Sequence, residues 1–205
     1  MNRRRWMGAV AAAAICLAVA GTARAQDASA ADKEKALALL ESSKKGVLAA
    51  TKGLSEAQWN FKPAPDKWSI AECMEHIAAA EDFIRGTVEQ NVMKAPAAPD
   101  RDVAKIDAGI VAHVPDRSAK FQAPEPLKPT NRFGSPEAAI KHFVESRAKT
   151  EEFLKSTADL RGHAVDSPAG VKWDAYEFIL MIAAHSERHT KQIEEVKTNP
   201  GYPAK

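Results

Sequence analysis

The stretch KWDAYEFILMIAAHSERHTKQIEEVK, residues 172–197, decides the fold. Asp174 followed three positions later by Glu177 has the spacing of a capping box, in which each side chain accepts from the other residue's backbone N–H and a helix begins. Asn199-Pro200-Gly201 stops that helix. Within it an apolar run gives way to a polar segment carrying His185 and His189, which lie four positions apart and so share one helix face. Such a pair either serves a metal ion or stands exposed among Ser186, Glu187, Arg188 and Lys191.

Three further segments have helical period. Ala36, Leu37, Leu40, Val47, Leu48 and Leu54 form an apolar stripe over about 31–53, which Gly53 punctuates. A two-proline connection leads to Ser69 and Glu72, a second capping box, with Trp68 placed to staple onto Cys73. The helix begun there runs to about Met93, with Cys73, Ile77, Ala80, Phe83 and Ile84 as its apolar face. A third starts at Ser135, with Pro136 at the first helical position, where its missing N–H costs nothing; Ile140, Phe143 and Val144 read as its core positions. Four amphipathic helices predict an all-α four-helix bundle. Between the second and third lies a long proline-rich loop, residues 94–134, in which only DVAKIDAGIVA has the pattern of a short helix. A segment this long in a compact domain is either a functional wall or a surface wrap. Its prolines stiffen it, and we expect it to border the histidine pocket.

The first 25 residues carry three consecutive arginines, an Ala-rich apolar core and an Ala23-Arg24-Ala25 ending, the layout of an export signal. Residues 26–205 then form the single folded domain, exported to the periplasm or beyond, with no stable membrane anchor once the signal is removed. General secretion is the default route; the arginine cluster only loosely resembles a twin-arginine signal. Cleavage removes four arginines and no acid, so the formal charge falls from +2 to −2. No basic stripe is left for nucleic acid. Cys73 becomes the lone cysteine and excludes an internal disulfide.

His76 is the third candidate ligand. It sits at the edge of the second helix's apolar face, and inward-facing residues of two bundle helices can converge on one ion. His113 in the loop, His142 beside Lys141 and His163 in a Gly-rich turn are poorer candidates. Taken alone, His76 also reads as a hydrogen-bonded core histidine.

The stretches FKPAPDKWSIAECMEHIAAAED, DRSAKFQAPEPLKPTNRFGSPEAA and HSERHTKQI resemble the DinB/YfiT-like superfamily of four-helix-bundle proteins: a Trp-Ser start, a histidine seven residues after the serine, and a late H-x-x-x-H followed by Gln-Ile. The likeness spans nearly all of residues 26–205. It implies a metal-binding triad at His76, His185 and His189. Three neutral imidazoles suit Zn²⁺, Ni²⁺ or Fe²⁺ and leave a coordination position open, as catalytic sites do. Gln192 and Glu72 are the candidates for orienting the ligands, with Glu72 also needed for capping; Cys73 is either a fourth ligand or a small core residue. The resemblance implies metal-dependent chemistry on a small molecule, by thiol transfer, thiol-dependent isomerisation or hydrolysis. The alternative is a non-catalytic metal-binding or stress-associated bundle. The partner expectations are an unspecified small molecule, no nucleic acid, and a homodimer as the candidate assembly.

If residues 1–25 are an export signal, N-terminal sequencing of the protein from its own host gives Gln26 as the first residue, in the fraction outside the cytoplasm. Met1 or Asn2 on a cytoplasmic protein would contradict this.

Overall fold

A computed structural model describes residues 27–205; the expected signal and its cleavage point lie outside the described residues. The chain forms α1 (Ala30–Thr51), α2 (Glu56–Asn60), α3 (Ile70–Gln90), α4 (Val103–His113), α5 (Pro136–Ser156), β1 (Ala164–Asp166), β2 (Lys172–Asp174) and α6 (Ala175–Lys197). The four long helices are those expected from the sequence, and they pack as a bundle. The one-turn α2 and the antiparallel β1–β2 hairpin, which pairs Val165 with Trp173, were not expected from the sequence. Both are too short for periodicity to reveal. No described helix is long and apolar enough to cross a membrane.

Local signals set the helix starts. Reciprocal capping boxes begin α1 (Ser29 and Asp32), α2 (Ser55 and Gln58), α3 (Ser69 and Glu72) and α6 (Asp174 and Glu177). Ser135 caps α5 with Pro136 in its first turn.

Packing runs round the bundle in the order α1, α6, α3, α5. The Tyr176 hydroxyl donates to the Asp32 carbonyl, and Gly46 faces Thr190, so α1 and α6 run in the same direction. One apolar cluster joins the start of α3 (Ile70, Cys73) and of α5 (Ala139, Phe143) to the ends of α1 (Val47, Ala50) and α6 (Ile193, Val196). The other joins Ile84, Val88 and Leu154 to Ala36, Leu40 and Ile179. Thus α3 and α5 also run in one direction, opposite to α1 and α6.

A parallel α3–α5 pair requires the chain to travel back along the whole bundle, and residues 91–135 do this. They leave the end of α3, and Ala98 N–H donates to the Gly162 carbonyl beside the hairpin. Arg101 there bonds Asp174 and Glu177 at the start of α6. The chain then climbs along α6 as α4 and crosses to α3. The FQAPEPLKP stretch lies against His76, as expected of a wall: the Leu127 carbonyl is 2.8 Å from His76 Nδ1.

The interior is not wholly apolar. Arg147 and Glu81, both buried, form a two-pronged pair with 2.8 Å bonds, and Arg147 also reaches the Leu40 carbonyl, Ser43 and Ser186. These polar residues occupy interior positions that a simple apolar pattern assigns elsewhere. Phe83 and Val144, read from the sequence as core, are instead exposed on α3 and α5.

Truncating one partner of a buried ion pair strands the other charge, which typically costs about 3–5 kcal/mol. Arg147→Ala therefore lowers the unfolding free energy by about that amount, read from urea denaturation. A loss well under 1 kcal/mol would show that Glu81 finds another partner.

Candidate metal centre

His76 lies at the end of the second turn of α3, whose start is fixed by the Ser69 cap. His185 and His189 lie on α6, which runs antiparallel beside it. The three rings meet between the two helices. His185 Nε2 is 3.1 Å from His76 Nε2 and 3.2 Å from His189 Nε2, and the three potential ligand atoms lie within 4.8 Å of one another. It is the one cluster of at least three such side chains among the described residues. Two nitrogens bound to one tetrahedral zinc at about 2.0–2.1 Å stand about 3.3 Å apart, so the two separations from His185 match a shared ion.

His76 and His189 are buried; His185 is partly exposed as a whole residue, but its imidazole is buried with the other two. Burial holds all three imidazoles below their ordinary basicity, His185 down to about 3, with the neighbouring rings adding to the effect on His185 and His189. They are therefore neutral at physiological pH, the form in which imidazole is a ligand.

Each buried ring is oriented by a second contact. A carbonyl only accepts, so His76 Nδ1 donates to Leu127 and its Nε2 carries a free lone pair. His189 Nδ1 lies 2.9 Å from Gln192 Oε1, the orienting role expected of Gln192. Glu72 does not share that role: its carboxylate caps α3 and pairs with Lys62, because the cap draws it back to Ser69 N–H. Trp68, just before the cap, walls the site, with its ring centroid 4.9 Å from that of His76 and 6.3 Å from that of His189.

The remaining histidines lie elsewhere. His142 bonds Asp82 at 2.5 Å, His163 donates to the Ala95 carbonyl, and His113 closes α4. Cys73 is a fully buried member of the apolar cluster at this end of the bundle. Sequence reasoning could not supply Leu127, because a backbone carbonyl leaves no residue-type signal, nor the arginines that join the loop to α6. Arg117 bonds Gln192 and Glu195, while Arg188 donates to the carbonyls of Val114, Asp116 and Ala119.

A family model described as the DinB superfamily matches residues 22–193. The YuaE protein of Bacillus subtilis strain 168 is 25% identical over 150 residues, covering 71% of this chain and 87% of YuaE. Among solved structures, one from Bacillus subtilis, described as "YfiT … a probable metal-dependent hydrolase with an unusual four-helix bundle topology", superposes with a TM-score of 0.55 at 13% identity, over 85% of this chain and 91% of the other. A DinB-family protein from Exiguobacterium sibiricum 255-15 gives a TM-score of 0.44 at 15% identity, over 84% of this chain and 92% of the other.

Burial pushes the Cys73 thiol up to about 12, so almost no thiolate forms at pH 8. A protein starting at Gln26, in which Cys73 is the one cysteine, is accordingly inert to iodoacetamide at that pH and takes up one equivalent only after unfolding in guanidinium. Rapid alkylation of the native protein would show that this end of the bundle opens.

Proposed function

This chain belongs to the DinB superfamily, and we propose that it is an exported enzyme that holds one divalent metal ion on His76, His185 and His189 and acts on a small molecule. The observation that carries the reading is the meeting of three imidazole Nε2 atoms between α3 and α6, with separations that one ion matches. An ion on three neutral ligands supplies Lewis acidity and favours deprotonation of a water or thiol in its open position.

The protein's own residues prepare that chemistry. The Leu127 carbonyl and Gln192 hold His76 and His189 in place. Trp68 and the crossover loop exclude water from their buried sides. The ligand set has no carboxylate to offset a 2+ charge, and Arg188 donates only to neutral carbonyls. An anionic substrate group, or a water or thiol that has lost its proton, is thus favoured over a neutral one. Hydrolysis and thiol transfer share this requirement. Hydrolysis takes precedence, because export removes the protein from most low-molecular-weight thiols.

Elemental analysis after incubation with Zn²⁺, Ni²⁺ or Fe²⁺ tests the reading. The wild type binds one ion per chain. His76→Ala, His185→Ala and His189→Ala each lose most of that stoichiometry and any metal-dependent hydrolysis of activated esters or amides. His142→Ala retains both. Full stoichiometry in His185→Ala would refute the site. One tightly bound ion with no turnover of any substrate class would favour a non-catalytic metal-binding bundle.

A further inference from the structure

We infer that the crossover loop sets the tautomers of His76 and His189, through Arg117 and Glu75 as positioning residues. The consequence for a bound ion rests on the metal reading above; the hydrogen-bond geometry stands without it.

At His189 the chain of contacts starts from Arg117, on the loop just beyond α4. Its Nε and Nη2 lie 3.0 and 2.7 Å from the two carboxylate oxygens of Glu195, a two-pronged grip that fixes the guanidinium against α6. Its remaining arm, Nη1, is 3.0 Å from Gln192 Oε1. Arginine can only donate, so Gln192 must present its oxygen there and not its NH₂ group. The same oxygen is 2.9 Å from His189 Nδ1, which must therefore carry the ring proton. That leaves Nε2 with a lone pair aimed at the other two rings. Without Arg117 the amide can turn, offer its NH₂ to Nδ1 and move the proton to Nε2, which a metal needs bare.

At His76 the sequence of contacts is different but the result is the same. Glu75 accepts from the backbone N–H groups of Thr130 (2.7 Å), Asn131 (2.8 Å) and Arg132 (3.2 Å), and from Arg132 Nε at 3.1 Å. Asn131 has φ +60°, the left-handed conformation that lets successive N–H groups point at one carboxylate. Arg132, held in this way, donates to the carbonyls of Pro126 (2.9 Å) and Lys128 (2.7 Å), the two peptide neighbours of Leu127. The buried Leu127 side chain fixes the depth of this turn, and the grip on both sides fixes the direction of its carbonyl. That carbonyl holds the proton on His76 Nδ1.

Glu75 and Arg117 touch none of the three Nε2 atoms, and each acts on one ring. This independence separates a positioning role from general loosening. In metal-stripped, uniformly ¹⁵N-labelled protein, long-range ¹H–¹⁵N correlation spectra read each ring's tautomer. The wild type shows the Nδ1–H form at both His76 and His189. Arg117→Leu moves His189 toward Nε2–H, the form free histidine prefers in water, and leaves His76 unchanged; Arg117→Lys, which keeps a donor, restores the wild-type signal. Glu75→Gln moves His76 and leaves His189 unchanged, and Glu75→Asp serves in the same role should the glutamine variant fold poorly. Zn²⁺ affinity, measured by competition with a chromophoric chelator, falls about 10- to 100-fold in the variants whose tautomer moves, the range typical for loss of a ligand's hydrogen-bond partner.

A wild type with its proton on Nε2 at either ring, or variants that leave both tautomers unmoved, overturns the inference. So does unchanged zinc affinity in a variant whose tautomer has moved. A wild type that holds both tautomers yet takes up no zinc overturns the metal reading and leaves the tautomer assignment standing.

Discussion

The parallel run of α3 and α5 is the constraint on which the rest of the molecule depends. A helix of 21 residues is about 30 Å long, so a chain leaving the end of α3 must travel roughly that distance back before α5 can begin. No short turn can do this. Residues 91–135 are therefore a structural necessity, and their path is set by the two helices they have to pass. They climb along α6 and cross to α3, the same two helices that carry the three histidines. The segment that satisfies the topology is also the one that supplies Leu127 and Arg117 to the site.

Polar contacts anchor the loop at each stage of its path, beside the apolar packing of Val92, Ile106, Ile110 and Leu127. Arg101 reaches Asp174 and Glu177 at its start, Asp107 pairs with Arg161 at 2.6 Å, Arg188 gathers three carbonyls at the top of α4, and Glu75 anchors the final turn. Apolar burial is non-directional and tolerates sliding. Hydrogen bonds to backbone groups fix register and orientation. A wall that must aim one carbonyl at one imidazole needs the second kind of contact, with Ile110 and Leu127 adding burial at intervals.

Two of the long helices, α3 and α6, were legible because a serine or aspartate three positions before a glutamate fixes a cap without reference to the rest of the chain, α5 through its Ser135-Pro136 start, and α1 through its apolar stripe. The histidine triad was legible through spacing on α6 and through the resemblance of the surrounding motifs. What was not legible depends on contacts distant in sequence. Phe83 and Val144 read as core because apolar residues at helical spacing usually are, whereas Glu81 and Arg147 hold interior positions by pairing across 66 residues. Glu72 read as a neighbour of His76 because it precedes it by one turn, but the cap and Lys62 occupy its carboxylate. Leu127 could not be singled out, because every residue has a carbonyl and only the fold decides which one meets an imidazole.

A preorganised triad limits what metal binding has to supply. Neutral imidazoles release no proton to receive an ion at physiological pH, and rings already fixed by Leu127 and Gln192 lose little further freedom. Two bare Nε2 lone pairs facing one another in a buried site would repel. His185 relieves this, because its Nε2 stands 3.1 and 3.2 Å from both and can donate to either. Of the three rings, His185 is thus the one whose proton must leave Nε2 when an ion arrives. The shift is a change of tautomer, with the proton ending on Nδ1, so the ring stays neutral and no net proton is released. The division of roles follows from the contacts: His76 and His189 are each fixed through Nδ1 by a partner outside the triad, and His185 bonds only to the other two rings.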